Sequence, residues 1–260
     1  MSFLFERIFP THRLALLPDR WVLRPAGGAL QVDAALEAAF EATAPMQALE
    51  ALLDKHAPSG RLRVTLSHHH VRLFLAPSPP AWLKHQEMRV WLDSALATAL
   101  GDVGEKGSAW RLAWDLTPPG QAIVVAAIPE ALLAGLHAVC QHRGIKLAGV
   151  RPWLAEAWQR RRRQLSRATG WYAVLEPGRQ VLLRLQNGKP VALRQRQTST
   201  DVALELDSLL ARESLLADAS AGGDLWLERA GISSDWGSLA GRYALHELAG
   251  PTEFAEALLQ

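Results

Sequence analysis

Between Trp171 and Ser199 the rhythm of apolar and polar positions changes three times. Trp171–Leu175 and Val181–Leu185 are near-continuous apolar runs, and Val191–Gln197 alternates. Glu176-Pro177-Gly178-Arg179 and Asn187-Gly188 separate them. The pattern predicts three short strands joined by two tight turns. Asn187-Gly188 is a type I′ hairpin signal, because both central residues of that turn need positive φ. Asp201 then caps a predicted helix carrying Leu204, Leu206, Leu209, Leu210, Leu215 and Leu216, with Glu205, Asp207 and Glu213 assigned to its solvent face. Leu225–Leu227 predicts another strand, and 253–259 a short final helix. The chain between those two segments reads as irregular.

The first part of the chain has a similar order. Leu14–Leu17 and Trp21–Leu23 predict a hairpin around Pro18-Asp19-Arg20, and Ala29–Val32 a third strand. Asp33 reads as the N-cap of an Ala-rich helix running to Leu53, interrupted at Pro45. Leu62–Leu66 and Val71–Leu75 are strands, and 84–100 is a helix with Met88, Leu92 and Leu96 on one side. Trp110–Leu116 and Gln121–Ile128 are strands. A helix from Pro129 ends near His142, with Gly144 as its C-terminal cap. Ile145–Val150 is a strand, and Pro152 opens a helix to about Arg167.

Composition narrows the class. A 49% hydrophobic, 21% charged chain of 260 residues fits a soluble protein with one large core or two lobes. A net charge of +2 is too balanced to imply nucleic acid from bulk charge. The single cysteine, Cys140, excludes an intrachain disulfide and reads as a buried, inert thiol. No apolar run reaches the length of a membrane span, and the N-terminus lacks the apolar stretch of a signal peptide, so a cytoplasmic location is expected. Ten tryptophans suit core packing, with any exposed ones serving as partner anchors.

Three clusters invite chemistry. His68-His69-His70 has no nearby Cys or acid at ligand spacing and reads as a polar turn rather than a metal site. Arg160-Arg161-Arg162-Arg163 with Arg167 reads as a solvated helix end, with nucleic-acid or anionic-lipid contact as the sharper alternatives. Ser67 lacks the G-x-S-x-G elbow, and no P-loop, HExxH or CxxC occurs.

Strand–strand–strand–helix–strand therefore occurs twice, at 12–66 and at 171–229. That order, with AIVVAAIPEALL, IKLAGV and WYAVLEPGRQVLLRLQNGKPVALRQ, resembles the actin-like pilus-assembly proteins of the PilM type. It is also similar to the cytoplasmic domain of the type II secretion protein GspL. The resemblance implies an α/β actin-like ATPase fold, ribonuclease-H-like, with two lobes that each hold a mixed sheet flanked by helices. Residues 1–168 would form the first lobe, with an inserted subdomain at about 61–128. Residues 169–260 would form a second, C-terminally shortened one.

The resemblance also implies two phosphate-binding hairpins, and here the chain departs from the pattern. Asp19 lies in the first turn between Pro18 and Trp21, where the family carries small residues. Glu176 stands where the metal-orienting aspartate is expected, and Pro177 removes an amide. Gly178 keeps the turn's shape, and Arg179 could face a phosphate. Gly222-Gly223 weakly matches an adenosine-binding glycine pair. Asp19, Glu176, Gly178 and Arg179 are thus the candidate residues of a degenerate nucleotide site, with no catalytic residue, no metal and no cofactor expected. The expected function is a non-catalytic scaffold at the cytoplasmic face of a type IV pilus or type II secretion-like machine. It would bind the cytoplasmic segment of an inner-membrane partner, peripheral to the membrane, with homodimerisation left open. The alternatives are an ATP- and Mg-binding ATPase with atypical loops, and a nucleic-acid binder using Arg160–Arg167.

Overall fold

The structure is a computed structural model that describes residues 11–28, 31–35, 44–56, 59–79, 83–100, 109–115, 120–199, 201–216, 223–248 and 253–259. The first sheet begins as a meander of β1 (Thr11–Leu16), β2 (Arg20–Arg24) and β3 (Gln31–Ala35). Helix α1 (Ala44–His56) then leads to β4 (Arg61–Leu66), which pairs parallel to β1. β8 (Lys146–Pro152) joins parallel to β4, giving the order β3-β2-β1-β4-β8. The second sheet repeats this plan. A meander of β9 (Gly170–Glu176), β10 (Arg179–Gln186) and β11 (Lys189–Gln197) is followed by α5 (Val202–Leu216) and β12 (Asp224–Arg229), parallel to β9. β13 (Ala244–Glu247) completes the order β11-β10-β9-β12-β13.

Between β4 and β8 the chain builds a small antiparallel sheet in the order β5 (Arg72–Ala76), β7 (Ile123–Pro129), β6 (Trp110–Trp114). Helix α2 (His85–Leu100) sets Met88, Leu92 and Leu96 against Phe74, Ile123 and Val125 of this sheet. Their i, i+4, i+8 spacing places all three on one helix face. Helices α3 (Glu130–His142) and α4 (Trp153–Leu165) flank β8 in sequence.

The apolar run at 171–175 is continuous because β9 is buried on both faces. Tyr172 and Val174 join the large core with Leu14, Leu16, Val64 and Trp153. Trp171, Ala173 and Leu175 point the other way, onto Leu206, Leu209 and Leu210 of α5. The period-two alternation of a strand thus feeds two cores from one sequence segment. The Asn187-Gly188 turn forms as expected, with φ of 51° and 73°.

Four expectations need correction. Asp33 does not cap a helix: it pairs with Trp21 inside β3, and residues 36–43 of the expected helix lie outside the described residues. Pro45 sits in the first turn of α1, where a missing N–H costs no hydrogen bond, so it interrupts nothing. β13 and a short helix α6 (Gly237–Ala240) occupy chain expected to be irregular, before the final helix α7 (Phe254–Leu258). In α5 the solvent face was misassigned. Glu213 is buried and paired with Arg194 of β11, while Leu204, Leu215 and Leu216 are exposed. Cys140 is buried, as its pattern predicts, and burial raises its thiol pKa. Among the described residues no helix is long and apolar enough to cross a membrane.

Candidate functional site

In open α/β sheets ligands bind outside the carboxyl ends of parallel strands. Here those ends are Leu16, Leu66, Pro152, Glu176 and Arg229, and the chain just beyond them converges on one crevice. Ser67, directly after β4, donates its backbone N–H to the Leu16 carbonyl. Its hydroxyl donates to Glu176 Oε1 at 2.8 Å and accepts the His69 N–H, capping a 3₁₀ turn at His68–His70.

Each histidine of that turn has a separate task. The fully buried His68 accepts the Leu154 N–H at Nε2, 3.1 Å away, so its proton sits on Nδ1, 3.6 Å from Glu176 Oε1. His69 donates from Nε2 to the Pro177 carbonyl in the β9–β10 turn, and His70 does the same to the Leu17 carbonyl in the β1–β2 turn, both at 2.8 Å. The triplet therefore bridges the two turns named from the sequence. It is a polar turn, as expected, but an interior one. Among the described residues no group of three His, Cys, Asp or Glu side chains could hold a metal.

Burial sets the electrostatics. It drives the His68 pKa down to about 3, helped by the His69 and Arg179 charges. It drives Glu176 up to about 8, against the Ser67 hydroxyl, the His68 and His69 amides and the Arg179 charge, all of which lower it. His69 and His70 are lowered by the same desolvation. At neutral pH the cluster is a neutral imidazole beside a protonated carboxyl, as expected of ionisable groups buried without a full counter-charge. Among the described residues Glu176 Oε2 and His68 Nδ1 have no hydrogen-bond partner.

Three of the four candidate residues share one turn. Glu176 ends β9, Gly178 has φ of 75°, and the half-buried Arg179 starts β10. A β-carbon at Gly178 would lie 3.1 Å from His69 Cε1, so glycine is needed for both the turn and the contact. Burial and then the Arg72 charge lower the Arg179 pKa. Asp19 stands apart. Its carboxylate is engaged by its neighbour Arg20, which lowers its pKa, and no described contact joins it to the second turn.

A metal–nucleotide group requires converging amides, small residues and free carboxylate oxygens. The donor set here fits it poorly. Pro18 and Pro177 have no N–H to give, and the Leu17 and Pro177 carbonyls are taken by histidines. Beside them the crevice holds Trp153, 5.4 Å from the His68 ring, and Phe254 of α7, 6.3 Å from Trp153 and packed on Gly231 after β12. Sequence reasoning missed Ser67, His68, Trp153 and Phe254 as parts of this site. The available signal was position: a Ser-His pair just past a β4-like strand and a Trp just past a β8-like one. Gly222 lies outside the described residues.

The basic cluster has a structural use. Arg160 Nη2 and Arg161 Nε grip the buried Glu228 at 3.0 and 2.8 Å, and Arg160 Nη1 also donates to the Ala257 carbonyl. Arg162, Arg163 and Arg167 are exposed. None of the described tryptophans is exposed, so the expected tryptophan anchors are absent among them.

No protein-family model matches the chain, and no curated protein matches it. Solved structures do. A Bacteroides thetaiotaomicron VPI-5482 protein with an actin-like ATPase fold superposes with a TM-score of 0.58 at 9% identity, over 93% of this chain and 89% of that one. A chain of the PilM-PilN type IV pilus biogenesis complex gives 0.58 at 15% identity, over 85% and 81%. The cytoplasmic domain of EpsL from Vibrio cholerae gives 0.48 at 14% identity, over 96% and 92%. The duplicated mixed sheets and the first two superpositions together establish that the chain has an actin-like ATPase fold.

Proposed function

We propose that this protein is a non-catalytic actin-like scaffold at the cytoplasmic face of a type IV pilus or type II secretion-like machine, where it holds the cytoplasmic segment of an inner-membrane protein. The observation that carries the non-catalytic part is the filled crevice. His68, His69, His70, Trp153 and Phe254 occupy the space outside the strand ends, and the turn carbonyls bond to histidines. The assembly part is supported by the likeness of fold to a chain of the PilM-PilN complex. The nucleic-acid alternative loses ground because Arg160 and Arg161 are committed to Glu228.

Two measurements on the full chain test this. Unfolding followed with millimolar Mg-ATP is expected to show no stabilisation. A nucleotide at about 100 times its dissociation constant would add roughly 2.7 kcal/mol, and such a gain would overturn the non-catalytic reading in favour of an ATP-binding protein. Calorimetry with peptides copied from the N-terminal cytoplasmic segments of inner-membrane proteins encoded beside this chain is expected to find one binder. No binding above a scrambled peptide would overturn the scaffold assignment.

A further inference from the structure

The balanced net charge hides an uneven distribution. Opposite the crevice, at the amino ends of the parallel strands, cations gather without matching carboxylates. Arg13 of β1 lies directly opposite Arg24 of β2 and Arg63 of β4, so three half-buried arginines stand side by side on one face of the first sheet. Neighbouring strands are only about 4.8 Å apart, and like charges placed opposite each other destabilise a sheet. Among the described residues none of the three has an ion pair. Arg13 Nη1 and Arg24 Nη1 both donate to the Leu259 carbonyl, at 3.2 and 3.3 Å, which is an uncharged acceptor. In the row nearer the strand starts, Arg61 sits between Thr11 and Lys146, and its enclosed Nε has no partner among the described residues.

The arginine-rich end of α4 joins this row. Arg160 Nη1 donates to the Ala257 carbonyl, two residues before Leu259, so Arg160, Arg13 and Arg24 surround one short stretch of chain. Arg163, three positions on, shares the Arg160 side of the helix. Arg162 and Arg167 carry the charge on towards Gly170, where β9 starts. These last three are exposed, with no ion pair among the described residues. The carboxylates at this end are engaged: Asp54 with Arg143, Asp224 with His246, and Glu228 with Arg160 and Arg161. Asp19, Glu156, Asp201 and Glu205 lie at the other end, in the β1–β2 turn and at the starts of α4 and α5.

Helix α5 adds an apolar element. It starts at the crevice end, where the Thr198 N–H bonds to the Gly178 carbonyl and the Ser199 N–H to the Glu205 carboxylate. Its 15 residues extend about 22 Å, the length of the seven-residue β9 on which it packs. Its last turn therefore reaches the amino end of β9, beyond Arg167. There Leu215 and Leu216 are 81% and 67% exposed. Cations flanked by exposed aliphatic side chains suit a bilayer surface, where the first meet phosphates and the second enter the acyl boundary. No described tryptophan, tyrosine or phenylalanine is exposed for nucleic-acid bases to stack on.

We propose that the amino ends of the two sheets form a docking surface for the phosphate headgroups of anionic membrane lipids, with Arg13, Arg24, Arg162, Arg163 and Arg167 as its charge and Leu215 and Leu216 as its apolar contact. The scaffold reading concerns a protein partner, so this surface does not rest on it. The test is flotation of the full chain with vesicles of mixed phosphatidylglycerol and phosphatidylcholine, against vesicles of phosphatidylcholine alone. Binding is expected to the first only, and to fall as salt is raised.

An arginine near an anionic surface contributes roughly fivefold in affinity, so Arg162→Gln, Arg163→Gln and Arg167→Gln together are expected to lose about a hundredfold with an unchanged melting temperature. Arg72→Gln, Arg111→Gln and Arg196→Gln together remove as many exposed charges from other faces and are expected to change binding little. Leu215→Ser with Leu216→Ser is expected to lose about tenfold. Equal binding to the two kinds of vesicle, or equal losses from the two arginine triples, would overturn the proposal. So would tighter binding to duplex DNA than to the anionic vesicles, which would make this a nucleic-acid surface. A chain that ignores the vesicles but recognises an inner-membrane peptide keeps the scaffold reading and removes the lipid surface. Vesicle binding with no peptide recognised does the reverse.

Discussion

Two glutamates of the second sheet are buried to nearly the same degree and treated in opposite ways. Glu228 of β12 meets two guanidiniums, and the Tyr172 hydroxyl lies 3.4 Å from its Oε2. Glu176, at the end of the adjacent strand β9, meets one hydroxyl, the His68 and His69 amides and a neutral imidazole that stays 3.6 Å away. The first is a charge enclosed by partners that α4 brings across from the first sheet. The second is a carboxyl that burial keeps protonated. The crevice end of the sheet is thus the place where ionisable groups are tolerated without counter-charges, and the sheet interior is where charge is matched. A fold that manages both has committed the crevice to internal contacts.

The contrast breaks hardest at Glu228. Glu228→Ala leaves the mostly buried Arg160 and Arg161 guanidiniums without their shared counter-charge, and removing one side of such a group costs about 3–5 kcal/mol. Urea unfolding should show a midpoint shift of that size. Replacing the set together, Glu228→Leu with Arg160→Met and Arg161→Met, should recover most of the loss, because the desolvation cost vanishes with the charges. A single variant within about 0.5 kcal/mol of the parent would mean that the guanidiniums are satisfied elsewhere.

Glu176→Gln should act in the other direction, and with pH. Unfolded, this carboxyl loses its proton near 4.5; folded, it holds it to about 8. Unfolding between those values releases a proton, so this group's contribution to stability falls as pH rises from 4.5 to 8. His68 has the opposite sign. Unfolded, it takes up a proton below 6.5, while the folded imidazole stays neutral to about 3, so stability falls as pH drops through that window. Between 4.5 and 6.5 the two slopes cancel. The parent should therefore show a plateau there and a decline from 6.5 to 8. Glutamine keeps the bond from Ser67 and abolishes the alkaline decline. At pH 8 it should be more stable than the parent by on the order of 2–4 kcal/mol, shrinking towards zero at pH 4.5. Denaturation midpoints at pH 5 and pH 8 give the answer, and an equal effect at both would refute a protonated Glu176.

How much of this was legible depended on whether the determinant was local. Both meanders followed from apolar runs and turn residues, since Asn187-Gly188 or Pro18-Asp19 fixes a turn without help from elsewhere. β13 was not legible: ALHE is short, its exposed residues carry no alternation, and it forms only because β12 offers a free parallel edge. Glu213 looked like solvent face because α5 has more leucines than one face can bury. Arg194, nineteen residues upstream on a neighbouring strand, decides which side turns inward. Glu176 and Gly178 were found by position in a turn. Their partners His68 and His69 lie more than a hundred residues away, and nothing in HHH says that its carbonyl acceptors are Leu17 and Pro177.

The smallest expected effect isolates the clasp between the two turns. Gly178 and Gly120 both have positive φ, 75° and 85°. An alanine at either must adopt a left-handed backbone, which costs about 1 kcal/mol. Around Gly120 no atom of the described residues lies within 4 Å of the added methyl, whereas at Gly178 it meets the His69 ring at 3.1 Å and must push it from the Pro177 carbonyl. Gly120→Ala therefore measures the backbone term alone. The excess loss in Gly178→Ala, expected at about 1 kcal/mol for a strained or broken hydrogen bond, measures what His69 contributes to holding the β9–β10 turn. His69→Ala should remove that excess, so that Gly178→Ala then costs no more than Gly120→Ala. If the excess persists without the imidazole, His69 is a neighbour of the second turn and not its clasp, and the two strand-end turns are held together through His70 and Ser67 alone.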